Sequence, residues 1–255
     1  MRTLFPMLKS WRLGSLLGFP VEINVSFLFL LGLVLVAFGG LVGLLITCLA
    51  FASIVLHELG HALVARQRGV HVSGIELSFF GGAAKMVQMP RSSNDELAIA
   101  AAGPAVSLAL GGAGLGLAAL VGSPLLATIG WINLIIAGFN LIPALPMDGG
   151  RILRALLARK LDFVRATDVS VTVARVVAVG FVIVGLMGAY QLLVLAPFLW
   201  LMGTREKILA RAMADQHVGY ARGGVEVLPR AWEHGGARRF TIRQRDGRFV
   251  IEAVD

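Results

Sequence analysis

Three stretches of this chain contain no lysine or arginine: residues 13–65, 92–150 and 176–204. Apolar runs of that length, free of basic charge, are long enough to cross a bilayer as helices. Overall only 15% of the 255 residues are charged and 57% are hydrophobic. Soluble domains carry roughly 25% charged residues. The pattern predicts an all-α polytopic membrane protein in the cell membrane, and it excludes a soluble enzyme with a single anchor.

Six spans fit, at about residues 21–38, 41–65, 97–121, 125–147, 169–187 and 191–202. Turn signals between the last two are weak, and Pro197 is expected to kink the final helix. Basic residues fall on alternate loops: Arg2, Lys9 and Arg12 before the first span, Arg66, Arg68, Lys85 and Arg91 after the second, Arg151, Arg154, Arg159, Lys160 and Arg165 after the fourth, and Arg205, Lys207 and Arg211 after the sixth. The opposite loops have none, a positive-inside pattern with both termini cytoplasmic. In a polytopic protein this distribution accounts for the net charge of +8 through topology, and no nucleic-acid partner is expected. The single cysteine, Cys48, lies in an apolar run and excludes a disulfide framework or a multi-cysteine metal site.

Two segments depart from the helical pattern. In residues 72–90, Ile75, Leu77 and Phe79 alternate with Glu76 and Ser78, and Gly81-Gly82 supplies a turn, so a membrane-associated β-hairpin is expected. The tail reads as two strands around Asp246-Gly247. The expected organisation is a transmembrane unit at 1–212 and a small cytoplasmic β-rich tail at 213–255. Gly112 and Gly116 have the spacing of close helix packing within the bundle, with dimerisation the lesser alternative. The sequence fixes no oligomeric state.

Chemistry concentrates in the second span. His57-Glu58-Leu59-Gly60-His61 is H-E-x-x-H, and residues four apart share a helix face, so both imidazoles can bind one metal. Two neutral imidazoles suit zinc, and the glutamate between them can act as general base on water. Ionisable groups inside a membrane span are costly, which weighs against two stray histidines and a surface glutamate. A catalytic zinc needs a third protein ligand. Residues 97–147 contain no acid, base or histidine, and Asp148 follows at once. His61 lies five residues before Arg66, about 8 Å inside the span. Asp148 lies three residues before Arg151, at the same side. Asp148 taken alone would suit a helix cap or a partner for Arg151. Pro143, Pro146, Gly149 and Gly150 favour a broken backbone lining a cavity instead.

Taken together, HELGH and NLIPALPMDGG resemble the site-2 protease family of intramembrane zinc metalloproteases. The second motif fits the family form N-x-x-P-x-x-P-x-D-G-G at Asn140, Pro143, Pro146, Asp148, Gly149 and Gly150. AAGPAVSL resembles its Gly-Pro element at Gly103 and Pro104. The likeness covers about residues 4–211. It implies one Zn2+ per chain held by His57, His61 and Asp148, with Glu58 activating water. It also implies that Asn140 holds substrate or the developing oxyanion. The substrate would be a single-span membrane protein in the lipid bilayer, cleaved in regulated intramembrane proteolysis. No loop is long enough for a PDZ domain, the tail is too short for paired CBS domains, and Ser107 stands where many members carry asparagine.

A transmembrane substrate must unwind before its carbonyls can be attacked, and the hairpin at 72–90 is placed to take the unwound segment by β-addition, with residues 75–79 the strand to test. Three other readings compete. A catalytically idle helix-binding member of the scaffold would have no need of Glu58. A metal transporter would spread polar groups over several depths, whereas these gather at one. A zincin using a downstream glutamate finds none between Glu96 and Glu206.

Overall fold

The structure, a computed structural model, describes residues 10–27, 40–78, 81–86, 90, 92–222, 239–245 and 248–254. The chain opens with strands β1 (Ser10–Leu16) and β2 (Phe19–Asn24). Helix α1 (Gly40–Gln67) leads to β3 (Val72–Ser78) and β4 (Gly81–Met86). Then come α2 (Ser93–Val121), α3 (Pro124–Asn140), α4 (Asp148–Leu157), α5 (Phe163–Leu186) and α6 (Gln191–Arg222), and strands β5 (Arg239–Arg245) and β6 (Arg248–Val254).

Three of these helices are long and apolar enough to cross a membrane: α1 from Val42, α2 and α5. Helix α3 is apolar but only 17 residues long. The expected count of six spans is therefore not confirmed among the described residues. The first expected span is corrected at its start, because residues 21–24 belong to β2, and from residue 28 onward it lies outside the described residues. Phe19, Val21 and Ile23 alternate there with Pro20, Glu22 and Asn24, a strand period that an apolar average hides. The fourth span ends at Asn140, seven residues early, since Pro143 and Pro146 follow and lack the N–H groups a helix would need. The fifth begins at Phe163, capped by Asp162, whose side chain accepts from Arg165 N–H. The sixth continues through Pro197 to Arg222, across the expected boundary at 212.

The hairpin expected at 72–90 is present as β3 and β4, but it is half of a larger sheet ordered β1-β2-β3-β4. Strand β2 pairs parallel with β3, Val21 facing Ile75, so α1 is the crossover of a β-α-β unit. One core joins the sheet to the helices through Phe19, Leu59, Ala62, Ala65, Val72, Ile75 and Ile99. A second packs the proline-rich loop on α5 and α6 through Ala144, Met147, Ala174, Ala178, Ala196 and Leu199. The small residues in both clusters let backbones approach closely, as packing in a membrane favours. Large apolar side chains on the helices, Leu120, Val176 and Val194 among them, remain exposed, as lipid-facing positions require.

The glycine pair expected to pack helices is corrected. A Cβ on Gly112 or Gly116 would meet nothing within 4 Å. Gly111 and Gly114 make the tight contact instead, against Leu134 and Gly130 of α3. The tail does form two paired antiparallel strands, Arg245 facing Arg248. Asn133 hydrogen-bonds Ser53 across α3 and α1 at 2.9 Å. Asn24 donates to Glu76 within the sheet at 3.1 Å.

Candidate metal centre

Two turns of sequence bring three ligand atoms to one point. On α1, His57 and His61 are one helical turn apart, with ring centroids 4.9 Å apart. Asp148 is the first residue of α4, where a carboxylate also suits the positive end of the helix dipole. It reaches there because the loop from 141 to 147 folds back tightly under α4. A Cβ on Gly149 would strike the Leu141 and Ile142 carbonyls, and one on Gly150 the Leu145 backbone. The double glycine is thus what seats α4 on the loop.

His57 Nε2 lies 3.0 Å from Asp148 Oδ2, His61 Nε2 lies 3.1 Å from the same oxygen, and the two Nε2 atoms are 3.2 Å apart. All three residues are buried. His61 Nδ1 donates to the Ile99 carbonyl at 2.6 Å, and a carbonyl can only accept. Its proton is therefore on Nδ1 and its Nε2 presents a lone pair. His57 Nδ1 is 2.9 Å from Ser107 Oγ, a fully buried hydroxyl that can take the Nδ1 proton. With the Ser107 hydroxyl accepting from Nδ1, the residue that departs from the family asparagine can hold the ring in the ligating tautomer. With both Nδ1 atoms engaged elsewhere, the two Nε2 atoms and the carboxylate oxygen face one another, a donor set that a shared cation would satisfy. Tetrahedral ligands about 2.0 Å from zinc would stand about 3.3 Å from each other. The observed 3.0–3.2 Å separations fit that edge length. Helix α2 completes the cradle: a Cβ on Gly103 would overlap His61 Nε2 and lie 2.6 Å from His57 Nε2.

Glu58 and Asn140 reach the same place. A cavity of about 590 Å3 is lined by Glu58, His61, Asn140, Asp148 and Arg151 among its polar residues, and by Phe139, Val194, Leu195 and Phe198. Glu58 accepts a hydrogen bond from Ala84 N–H of β4 at 2.9 Å. It packs so closely that a Cβ on Gly82 would be 2.9 Å from its Cγ. Asn140, the last residue of α3, donates to the Ile136 carbonyl at 2.9 Å and keeps a second N–H. Arg151 is not the partner of Asp148, whose carboxylate faces the two histidines. His71 is exposed and takes no part in this cluster.

Sequence reasoning passed over two polar features. Arg154 is buried and bridges Glu96 at 2.8 Å and Glu206 at 2.9 Å, tying α4 to α2 and α6. Its signal is a basic residue one turn from the motif, with Glu96 near the start of α2 and Glu206 within α6. Arg175 lies inside the α5 span.

The comparisons agree with this geometry. The model of Peptidase family M50 matches residues 45–124 and 117–184. Zinc metalloprotease MJ0392 of Methanocaldococcus jannaschii is 35% identical over 206 residues, 78% of this chain and 60% of that protein. The Synechocystis sp. protein sll0528 is 39% identical over 168 residues, 57% of this chain and 44% of that protein. The chain therefore spans roughly half the length of these curated relatives. A solved site-2 protease from Methanocaldococcus jannaschii superposes with a TM-score of 0.62 at 35% identity, covering 78% of this chain and 95% of that one. With the family model spanning both the H-E-x-x-H helix and the Asp148 motif, and a solved structure overlapping nearly end to end, the chain belongs to peptidase family M50, the site-2 proteases.

Proposed function

We propose that this chain is an intramembrane zinc metalloprotease that hydrolyses peptide bonds within or near the transmembrane segments of single-span membrane proteins. The observation that carries the reading is the convergence of His57 Nε2, His61 Nε2 and Asp148 Oδ2 beside Glu58, on a cavity set among apolar helices. In this reading His57, His61 and Asp148 hold one zinc. When bound, zinc supplies Lewis acidity toward water and the scissile carbonyl. Glu58 takes the proton of the attacking water and passes it to the leaving amine as the C–N bond breaks. The free N–H of Asn140 donates to the carbonyl oxygen as negative charge builds on it. In this reading the protease unit in the cell membrane, expected at residues 1–212, extends through the end of α6 at Arg222, and the residues beyond it form a cytoplasmic tail. Clustering of lysine and arginine on alternate loops supports cytoplasmic termini.

The substrate enters as an extended segment. Strand β3 is flanked by β2 and β4, so residues 75–78 are not where a strand can add, and residue 79 lies outside the described residues. Strand β4 is the edge strand on the cavity side, and its Gly82, Ala84 and Met86 line the cavity. A substrate carbonyl at Ala84 N–H would take the place of Glu58 there and free the base.

The test compares membrane proteomes of cells carrying wild type and Glu58→Gln, alongside zinc analysis of both purified proteins. The expected result is equal zinc content and accumulation of an uncleaved single-span protein with the variant. In a reconstituted assay Asn140→Ala lowers kcat about 100-fold or more with KM kept. Absence of stoichiometric zinc in the wild type overturns the metal assignment, and undiminished cleavage by Glu58→Gln overturns the role of the base.

A further inference from the structure

Arg175 is a cation in the middle of a helix built to cross a membrane. It is half-buried, its Nε is buried without a hydrogen-bond partner, and no acid pairs with it among the described residues. Its guanidinium instead stacks over the Trp200 ring of α6, with the central carbon 4.9 Å from the ring centroid. An unpaired charge in a span is costly and calls for a counter-charge. The rung below it on the same two helices, by contrast, carries its own acid. Asp168 accepts from Lys207 at 3.1 Å and Arg211 at 3.2 Å. Arg175 is seven residues beyond Asp168 on α5, and Trp200 seven residues before Lys207 on α6, each about 10 Å along its helix. The stacked pair therefore sits one step, about 10 Å, inside the Asp168 level at the basic end of the bundle. Helical side chains lean toward their helix N-terminus, and for α5 that is the basic end, so the guanidinium can reach the headgroup layer. At that end Asp168 is one acid shared between two cations, and Arg205 is exposed beside them. The local charge remains positive.

We propose that the groove between α5 and α6 at Arg175 and Trp200 binds the phosphate of an anionic phospholipid. Arg175 supplies the charge-assisted hydrogen bonds, Trp200 the flat apolar wall, and Lys207 and Arg211 the surrounding positive potential. The site is independent of the metal centre and does not rest on the protease reading.

The experiment uses the full chain in phosphatidylcholine nanodiscs containing one-third phosphatidylglycerol, with bound lipid read by native mass spectrometry after extraction. The wild type is expected to retain phosphatidylglycerol at least threefold over its share of the bilayer, and Arg175→Gln to retain it in proportion to that share. Arg175→Lys keeps part of the preference. Sodium phosphate at millimolar concentration is the second arm. Displacement of the retained lipid marks a site for phosphate itself, and retention unchanged by phosphate marks a site for the lipid. Both results keep the anion site. No phosphatidylglycerol preference in the wild type overturns the proposal even if the variants fail to fold, and so does an undiminished preference in Arg175→Gln.

Discussion

A methyl group added at Gly103 should empty the metal centre without altering a single ligand. The Cβ of Gly103→Ala would overlap His61 Nε2 and lie 2.6 Å from His57 Nε2, where ordinary contact begins at 3.4 Å. His57 Nε2 alone would have to retreat by about 0.8 Å, several times the ~0.2 Å latitude of a metal–ligand distance. Neither partner can give way freely. The His61 ring is pinned by its 2.6 Å bond to the Ile99 carbonyl. Helix α2 is held against α1 one residue away, where a Cβ on Gly60 would already stand 2.9 Å from the Ala102 carbonyl. Disturbing the groups that merely orient ligands costs roughly 10–100-fold in metal affinity. An intrusion among the ligands themselves should cost at least about 100-fold, or about 2.7 kcal/mol. Zinc content of the purified full chain, followed by competition against a chelator of known affinity, measures this. Gly112→Ala on the same helix is the control, because its Cβ meets nothing within 4 Å and should leave zinc affinity unchanged. Stoichiometric zinc of wild-type affinity in Gly103→Ala would refute the argument that these three side chains form the site.

Arg154→Met should destabilise by about 3–5 kcal/mol, because it strands the buried Glu96 carboxylate and the partner Glu206. The loss appears as a lowered Tm in detergent, and Arg154→Met with Glu96→Gln should recover part of it. On the sheet, the hydrogen bond from Lys85 holds the Glu22 carboxyl below its usual range. Burial disfavours the Lys85 ammonium, but its hydrogen bonds to Glu76 and Glu22 outweigh this and raise its pKa. A lowered carboxyl stabilises above its unfolded pKa and loses that contribution as pH falls through the folded value. A raised ammonium stabilises below its unfolded pKa and loses that contribution as pH rises through the folded one. The Tm difference between wild type and Lys85→Met should therefore be largest near neutral pH and shrink toward both extremes. A difference that is flat with pH would show that Lys85 acts through packing alone.

The parts of the site that were legible in the sequence are those fixed by short-range geometry. His57 and His61 share a face because they are four apart in a helix, whatever else the chain does. Asp148 could be paired with them because Arg66 and Arg151 place both arms at one end of their spans, and because Pro143 and Pro146 forbid a helix between Asn140 and Asp148. What depends on distant partners was not legible. Strand β2 exists because Val21, Glu22 and Ile23 pair with Ile75, Glu76 and Leu77 across the whole of α1, and no local pattern encodes that register. Its alternating residues run directly into an apolar stretch, so hydropathy merged strand and span. Glycine spacing failed for a related reason. GGAGLG offers pairs both three and four apart, and only the position of α3 decides that Gly111 and Gly114 are buried while Gly112 and Gly116 are free. Arg175 escaped notice because a single charge barely lowers the average of a 24-residue apolar helix. Averaging suits the detection of spans, but it discards the kind of residue that a membrane tolerates only with a partner. The same reasoning that made His57, Glu58 and His61 conspicuous, that an ionisable group in a span must be matched, applies to Arg175. Among the described residues the protein offers it only the ring of Trp200, and that is the gap the proposed lipid phosphate would fill.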